Sequence, residues 1–309
     1  MTVSDTYIFK SIEGYLAWVE FYPGRAICYI PQLGSWYEET HIIDDVQAGL
    51  ERARYCLEKS GVQVEGGGAR MVLSPGQYYP RIWRGVYRFS FLSDSYDKLD
   101  PFEVYGPVYN QCIVAAESLL LEVKDVFRFV EPAQSNLTAY SHRLRELLIL
   151  ICTEIEACWS GVLKANIMEQ QCDRFTTKNY LKVCTPLRLT EWEVKLKDYD
   201  LKFEPFKRWN ILQPTKSLPW YDDYNSVKHD REGNFSRSTL GNVLNAAAAL
   251  HVLQVAQFGP GIYEMWRGNR FSIFDVCKSP AIELSEIYLS KPIIKGKFDS
   301  PVELRSQRV

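Results

Sequence analysis

Two periodicities run along this chain, and the switch between them predicts its organisation. Near the N-terminus the apolar residues are aromatic and β-branched and come in short runs. Residues 15–22 and 25–30 flank Pro23-Gly24, the pattern of a hairpin inside a β-rich stretch from 7 to 31. After Asp44, a plausible N-cap, Val46, Leu50, Ala53 and Leu57 fall at helical spacing until Gly61. Gly66-Gly67-Gly68 then interrupts; no Gly-Lys-Ser/Thr follows, so the triplet reads as a plain loop rather than a phosphate cradle. Two more strand-like runs, 69–74 and 83–92, complete a ββαββ order; in the second, Val86, Arg88 and Ser90 alternate with Tyr87, Phe89 and Phe91. That order predicts a small α+β domain.

Residues 93–107 mix Asp, Ser, Pro and Gly and mark a boundary, after which the period becomes helical. Ile113, Ala116, Leu120, Val123 and Phe127 predict a helix over 109–130, closed by Glu131-Pro132. A longer one, 141–165, carries Leu144, Leu147, Leu148, Ile151, Ile155, Cys158, Trp159, Val162 and Leu163, a face wide enough to be buried in a bundle. Glu154 lies at its margin, as a solvated edge carboxylate or as one that looks toward a neighbouring helix. The charged, aromatic stretch 168–209 predicts a short helix and an irregular or two-stranded insertion. Pro219 suits a first helical turn, and Trp220, Tyr224 and Val227 share one face while Asp222, Asn225 and His229 share another. After Gly233-Asn234 the chain restarts at Ser236 or Ser238 as N-cap, and Leu240, Val243, Leu244, Ala247, His251, Val255 and Phe258 form an apolar stripe. The expected organisation is a domain over 1–95, a linker at 96–107, a helical bundle over 108–260 with an insertion near 168–215, and a C-terminal extension, 261–309, with no firm element beyond a strand-like run at 282–289.

Composition narrows the classes. The 309 residues are 46% hydrophobic and 24% charged, a soluble globular profile, and the formal net charge of −2 gives no global attraction to nucleic acid or an anionic surface. No apolar run approaches a membrane span and the first residues lack a secretory pattern, which predicts a cytoplasmic protein without a membrane partner. The eight cysteines show no Cys-x-x-Cys pair and no zinc-finger spacing, so reduced, buried thiols are expected and neither a metal nor a cofactor is indicated.

Candidate chemistry concentrates around one histidine. His251 sits in an apolar stripe and reads as a hydrogen-bonded core residue, and His41 and His142 have no motif around them. His229 is flanked by Lys228 and Arg231, with Asn225 one turn before it. A base beside cations suits metal-independent RNA cleavage, in which the 2′-hydroxyl is activated and charge on the phosphate is stabilised. The alternative is that Asn225, His229 and Asp230 cap and stitch the connection to the next helix. A further option uses Asp222, Asp223 and Glu154 as metal ligands or an acid/base pair, although adjacent aspartates point to different helix faces.

Two long helices, with an Asn-x-x-x-His cluster at the entry to the last long helix, resemble the HEPN (higher eukaryotes and prokaryotes nucleotide-binding) superfamily of helical domains. The hallmark of that family is Arg-x(4-6)-His, often with a polar residue after the arginine. Here the segment reads Tyr224-Asn225-Ser226-Val227-Lys228-His229: Asn225 and His229 fit, Tyr224 stands where the arginine belongs, and no arginine lies four to six residues before His229. The resemblance implies a dimeric toxin or antiviral-defence ribonuclease. In it His229 would be the base or acid, Lys228 and Arg231 would hold the phosphate, and Asn225 would orient His229 or touch the RNA, with Glu154, Asp222 and Tyr224 behind them. It equally implies a non-catalytic variant, in which the helical domain dimerises through its broad apolar face and the N-terminal sheet recognises a protein or ligand.

Overall fold

Apolar residues occupy both faces of the N-terminal strands, because both faces are covered. The computed structural model describes residues 5–14, 16–22, 25–30, 35–39, 49–75, 77–87, 106–166, 175–263, 270–289 and 305–306. Strands β1 (Asp5–Ser11), β2 (Leu16–Tyr22), β3 (Arg25–Ile30) and β4 (Ser35–Glu39) are followed by helix α1 (Leu50–Lys59) and β5 (Val64–Arg70). They form one antiparallel sheet in the order β4-β3-β2-β1-β5. Tyr7, Phe9, Ala17, Val19, Ala26 and Cys28 pack against Ala53, Cys56 and Leu57 of α1. On the opposite face Ile8, Leu16, Trp18 and Ile27 pack with Ile287 and Leu289. Strand residues enclosed on two sides lose the polar half of their alternation, which explains runs such as 16–19.

The expected hairpin is present, but four strands precede α1 rather than two. The glycine triplet is a further correction: it belongs to β5, at the sheet edge, where the pairing with β1 shifts register between Ile8 and Lys10. A side chain at Gly68 would run into the Phe9 ring, so glycine permits the close approach and no phosphate loop is formed. Of the predicted 83–92 strand, β7 (Val86–Tyr87) is described and 88–92 lies outside the described residues, as do Asp44 and Val46.

The chain divides into two compact units, one of Met1–Tyr78, Arg84–Leu99 and Ala281–Gln307, the other of Tyr79–Trp83, Asp100–Pro280 and Arg308–Val309. The tail is therefore shared between them. Within the first unit β11 (Tyr288–Leu289) runs parallel to β7, and β12 (Arg305–Ser306) parallel to β6 (Gln77–Tyr78).

The second unit is helical. Helix α2 (Pro107–Val126) starts at a proline after Gly106, whose φ of 57° a side chain would disfavour. Helices α3 (His142–Asn166), α4 (Pro219–His229) and α5 (Leu240–Phe258) complete the framework. In α5 every residue from Ala246 to Phe258 is buried, so it is the central helix rather than one with a single apolar stripe. Its N-cap is Thr239, which accepts from Asn242 N at 3.2 Å, because Phe235–Arg237 forms a 3-10 turn that moves the helix start beyond Ser236 and Ser238. The broad face of α3 is spent inside this core and is not available for dimerisation.

Among the described residues the insertion contributes a helical turn, Thr177–Tyr180, and strands β8 (Glu193–Leu196) and β9 (Lys202–Phe203), which join β10 (Phe274–Lys278) in the order β10-β8-β9. Trp159 on α3 anchors it: its ring lies 5.0 Å from Trp209, 5.1 Å from Tyr180 and 5.3 Å from Tyr221, centroid to centroid. Trp220 Nε1 donates to Pro205 O at 3.0 Å and Trp209 Nε1 to Pro214 O at 2.8 Å, which satisfies the polar edges of these buried rings.

Candidate functional site

The corner around His229 is built on the last turns of α4. Tyr224 is fully buried, and Lys228, one turn later, donates to its hydroxyl at 2.9 Å. Lys228 Nζ also lies 4.0 Å from Glu156, whose other carboxylate oxygen accepts from Tyr221 OH at 2.8 Å. The hydrogen bond to Tyr224 is the main cause that raises the Lys228 pKa, with Glu156 adding to it. Burial, then Glu156, pushes the Tyr221 hydroxyl well above the ordinary tyrosine value. Asn225 donates to Tyr221 O at 2.9 Å, a bond back along its own helix.

His229 is the last residue of α4 and is exposed, as is Arg231. None of the described contacts joins either to Asn225 or to each other. Asp222 is half-buried and contributes its backbone carbonyl to Ser226 Oγ. Asp223 pairs with Arg237 at 3.0 Å and accepts from Asn242 Nδ2 at 2.8 Å, tying α4 to the start of α5. Asp230 Oδ1 accepts from Gly233 N at 3.0 Å, and the His142 ring sits 4.6 Å from Phe235. These contacts stitch the α4–α5 connection.

Glu154 is not behind this corner. Residues two apart on a helix lie about 200° apart around the axis. Glu156 consequently faces α4, where it meets Tyr221 and Lys228 rather than His229, while Glu154 faces α2. Glu154 is instead half-buried near Cys112 and Arg81; burial and the Cys112 charge push its carboxyl up to about 7. Asp222, Asp223 and Glu154 are thereby separated, and among the described residues no group of three or more His, Cys, Asp or Glu side chains is placed to hold a metal.

Two features carried no sequence motif. One is a loop that presents Ile211 and Leu212 at 76% and 89% exposure. It is ordered by Asn210, whose side-chain oxygen accepts from Leu212 N and Gln213 N at 3.1 Å and whose amide donates to Arg208 O at 2.9 Å. Ile211 and Asn210 border a cleft of about 400 Å³, lined also by Arg188, Glu191, Thr185 and Trp209. None of the His229 corner residues lines it.

The other is a buried polar cluster between α2, α3 and α5. Arg81 is 9% exposed, with a left-handed φ of 60°, and donates Nε to Gln257 Oε1 at 2.8 Å and Nη2 to Cys112 Sγ at 3.4 Å. A side chain at Gly161 would run into its guanidinium. Gln254 donates to Cys158 Sγ at 3.4 Å. A signal for this cluster existed only in fragments: Gln254 and Gln257 interrupt the apolar face of α5, and Gly161 interrupts a strong helix. His251 matches its expected role, buried against Ser272 Oγ at 2.8 Å, with burial first and Lys197 second holding the ring neutral and its pKa down to about 3.

Comparison with known proteins returns no matching family model, no matching curated protein and no matching solved structure.

Proposed function

We propose that the chain is a protein-interaction module built on a HEPN-like helical unit that does not cut RNA. The observation that carries the reading is the engagement of Lys228. Its ammonium donates to Tyr224 OH and lies 4.0 Å from Glu156, so one of the two cations that would replace the missing arginine is engaged within the fold. His229 and Arg231 are exposed, whereas cleavage needs preorganised groups in a water-poor site.

The docking element is the Ile211–Leu212 loop with its adjoining cleft. Two adjacent exposed aliphatic side chains on an ordered loop offer apolar area to a partner, and loop preorganisation lowers the entropic cost of docking. The occupant we assign is a second copy of the chain, in line with the dimers that the resemblance implies.

Two readouts on the intact protein test this. A pool of structured RNAs in EDTA is expected to stay uncut, and light scattering is expected to find a dimer that Leu212→Asp converts to monomer with unchanged circular dichroism. RNA cutting that disappears in His229→Ala at unchanged stability would instead assign the corner as a nuclease site and bring back the toxin or defence setting. A wild type that stays monomeric at all concentrations would remove the self-docking loop.

A further inference from the structure

The cluster around Cys112 has the parts of a thiol reaction centre, and its chemistry is independent of the interaction reading. Cys112 on α2 is half-buried, Cys158 on α3 is fully buried, and the two thiols lie close enough to perturb one another's ionisation, with Arg81 donating to the first and Gln254 to the second. Polar groups gather around the pair: Arg81 from the 79–83 segment donates to Cys112, Gln254 from α5 donates to Cys158, Glu154 of α3 lies near Cys112, and Gln257 of α5 holds Arg81. The side-chain oxygen of Gln254, fully buried, has no hydrogen-bond partner among the described residues. Arg81 holds its place at the expense of a left-handed backbone, a conformation non-glycine residues adopt rarely and often at functional sites.

We propose that Cys112 is a hydroperoxide-reactive cysteine and Cys158 its resolving thiol, with hydrogen peroxide or a small organic hydroperoxide as the oxidant. The guanidinium that donates to Cys112 favours the thiolate, and Cys112 is only half-buried whereas Cys158 is fully buried, which sets the order of reaction. The neighbouring Cys158 thiol, and then Arg81, hold the Cys112 thiol well below the usual range against the opposing effect of burial. Cys158 is held well above that range, first by the neighbouring Cys112 and then by burial, so it stays a thiol until Cys112 has reacted.

The Cys112 thiolate attacks one peroxide oxygen; an S–O bond forms, the O–O bond breaks, and the departing hydroxide or alkoxide takes a proton. The Glu154 carboxyl is the nearby acid, and it regains from solvent the proton that Cys112 released on ionising. The Cys158 thiol then attacks the sulfenic sulfur: an S–S bond forms, the S–O bond breaks, and the oxygen leaves as water with the Cys158 proton. One hydroperoxide and two thiols give one water or alcohol, one further water and one disulfide. An external dithiol reverses the state.

The test treats the reduced full-length protein with equimolar hydrogen peroxide and follows each cysteine by peptide mass mapping. The expected product has lost about 2 Da through a Cys112–Cys158 disulfide. Exposed Cys277, which has no guanidinium donor to its sulfur among the described residues, serves as the internal control. Cys112 is expected to react roughly tenfold faster than Cys277 or more. In Cys158→Ser the reaction is expected to stop at a sulfenic acid on Cys112 that dimedone traps. The proposal is overturned if Cys277 reacts as fast as Cys112, or if no disulfide joins Cys112 and Cys158. Both of these are read on the wild type, so the decision survives a variant that fails to fold.

Discussion

Trp159→Ala is expected to cost the helical unit about 3–5 kcal/mol, the largest stability loss of any single substitution considered. The indole is fully buried and joins its own helix α3 to the inserted segment and to α4, through Trp209, Tyr180 and Tyr221. Truncation removes its burial and leaves a cavity that stacked aromatic rings cannot collapse to fill, since each is fixed by its own packing. A domain holds about 5–15 kcal/mol in all, so a loss of this size leaves the unit close to its unfolding threshold. Urea denaturation followed by helical circular dichroism measures it. Because the chain has two compact units, the helical signal is read separately from the sheet. A loss near that of a surface substitution, about 0.5 kcal/mol, would mean that the inserted segment is not held by this ring.

Tyr224→Arg, which writes the family's arginine back into the motif, is expected to lower stability by about 3 kcal/mol and to confer no RNA cutting. The position is fully buried, and the incoming guanidinium would sit beside Lys228 after removing the hydroxyl that Lys228 now uses. Glu156 already faces Lys228 and Tyr221, so the incoming guanidinium competes with Lys228 for one carboxylate at a buried position. The variant is compared with wild type by thermal unfolding and by the same RNA assay. A stable variant that cuts RNA would show that the site tolerates the arginine and that its substitution alone had silenced a nuclease.

The long helices were legible because their periodicity is strong and their core is local in sequence: Pro219 starts α4 as expected, and the bounds of α3 move by one residue. Legibility failed where tertiary contacts override local chemistry. Gly66-Gly67-Gly68 looks like a loop in isolation, and only the Phe9 ring from another strand explains why glycine is needed in β5. Glu154 and Glu156 are indistinguishable by type and nearly so by position. Which of them faces α4 depends on helix packing, and periodicity alone placed the wrong one there. Arg81, Cys112, Glu154 and Cys158 come from three separate stretches with no shared motif, so the cluster exists only once α2, α3 and the 79–83 segment are packed. Of the candidate residues, Asn225 and Lys228 make contacts that point back into the fold, whereas His229 and Arg231 are exposed.

The commitment of Lys228 to the fold is tested most directly by a double-mutant cycle of Tyr224→Phe and Lys228→Met, with stability measured by urea denaturation for all four proteins. A charged hydrogen bond of this kind, partly exposed on the lysine side, is expected to give a coupling of about 1 kcal/mol. Coupling within about 0.3 kcal/mol of zero would contradict it, because Lys228 would then be free to serve a phosphate.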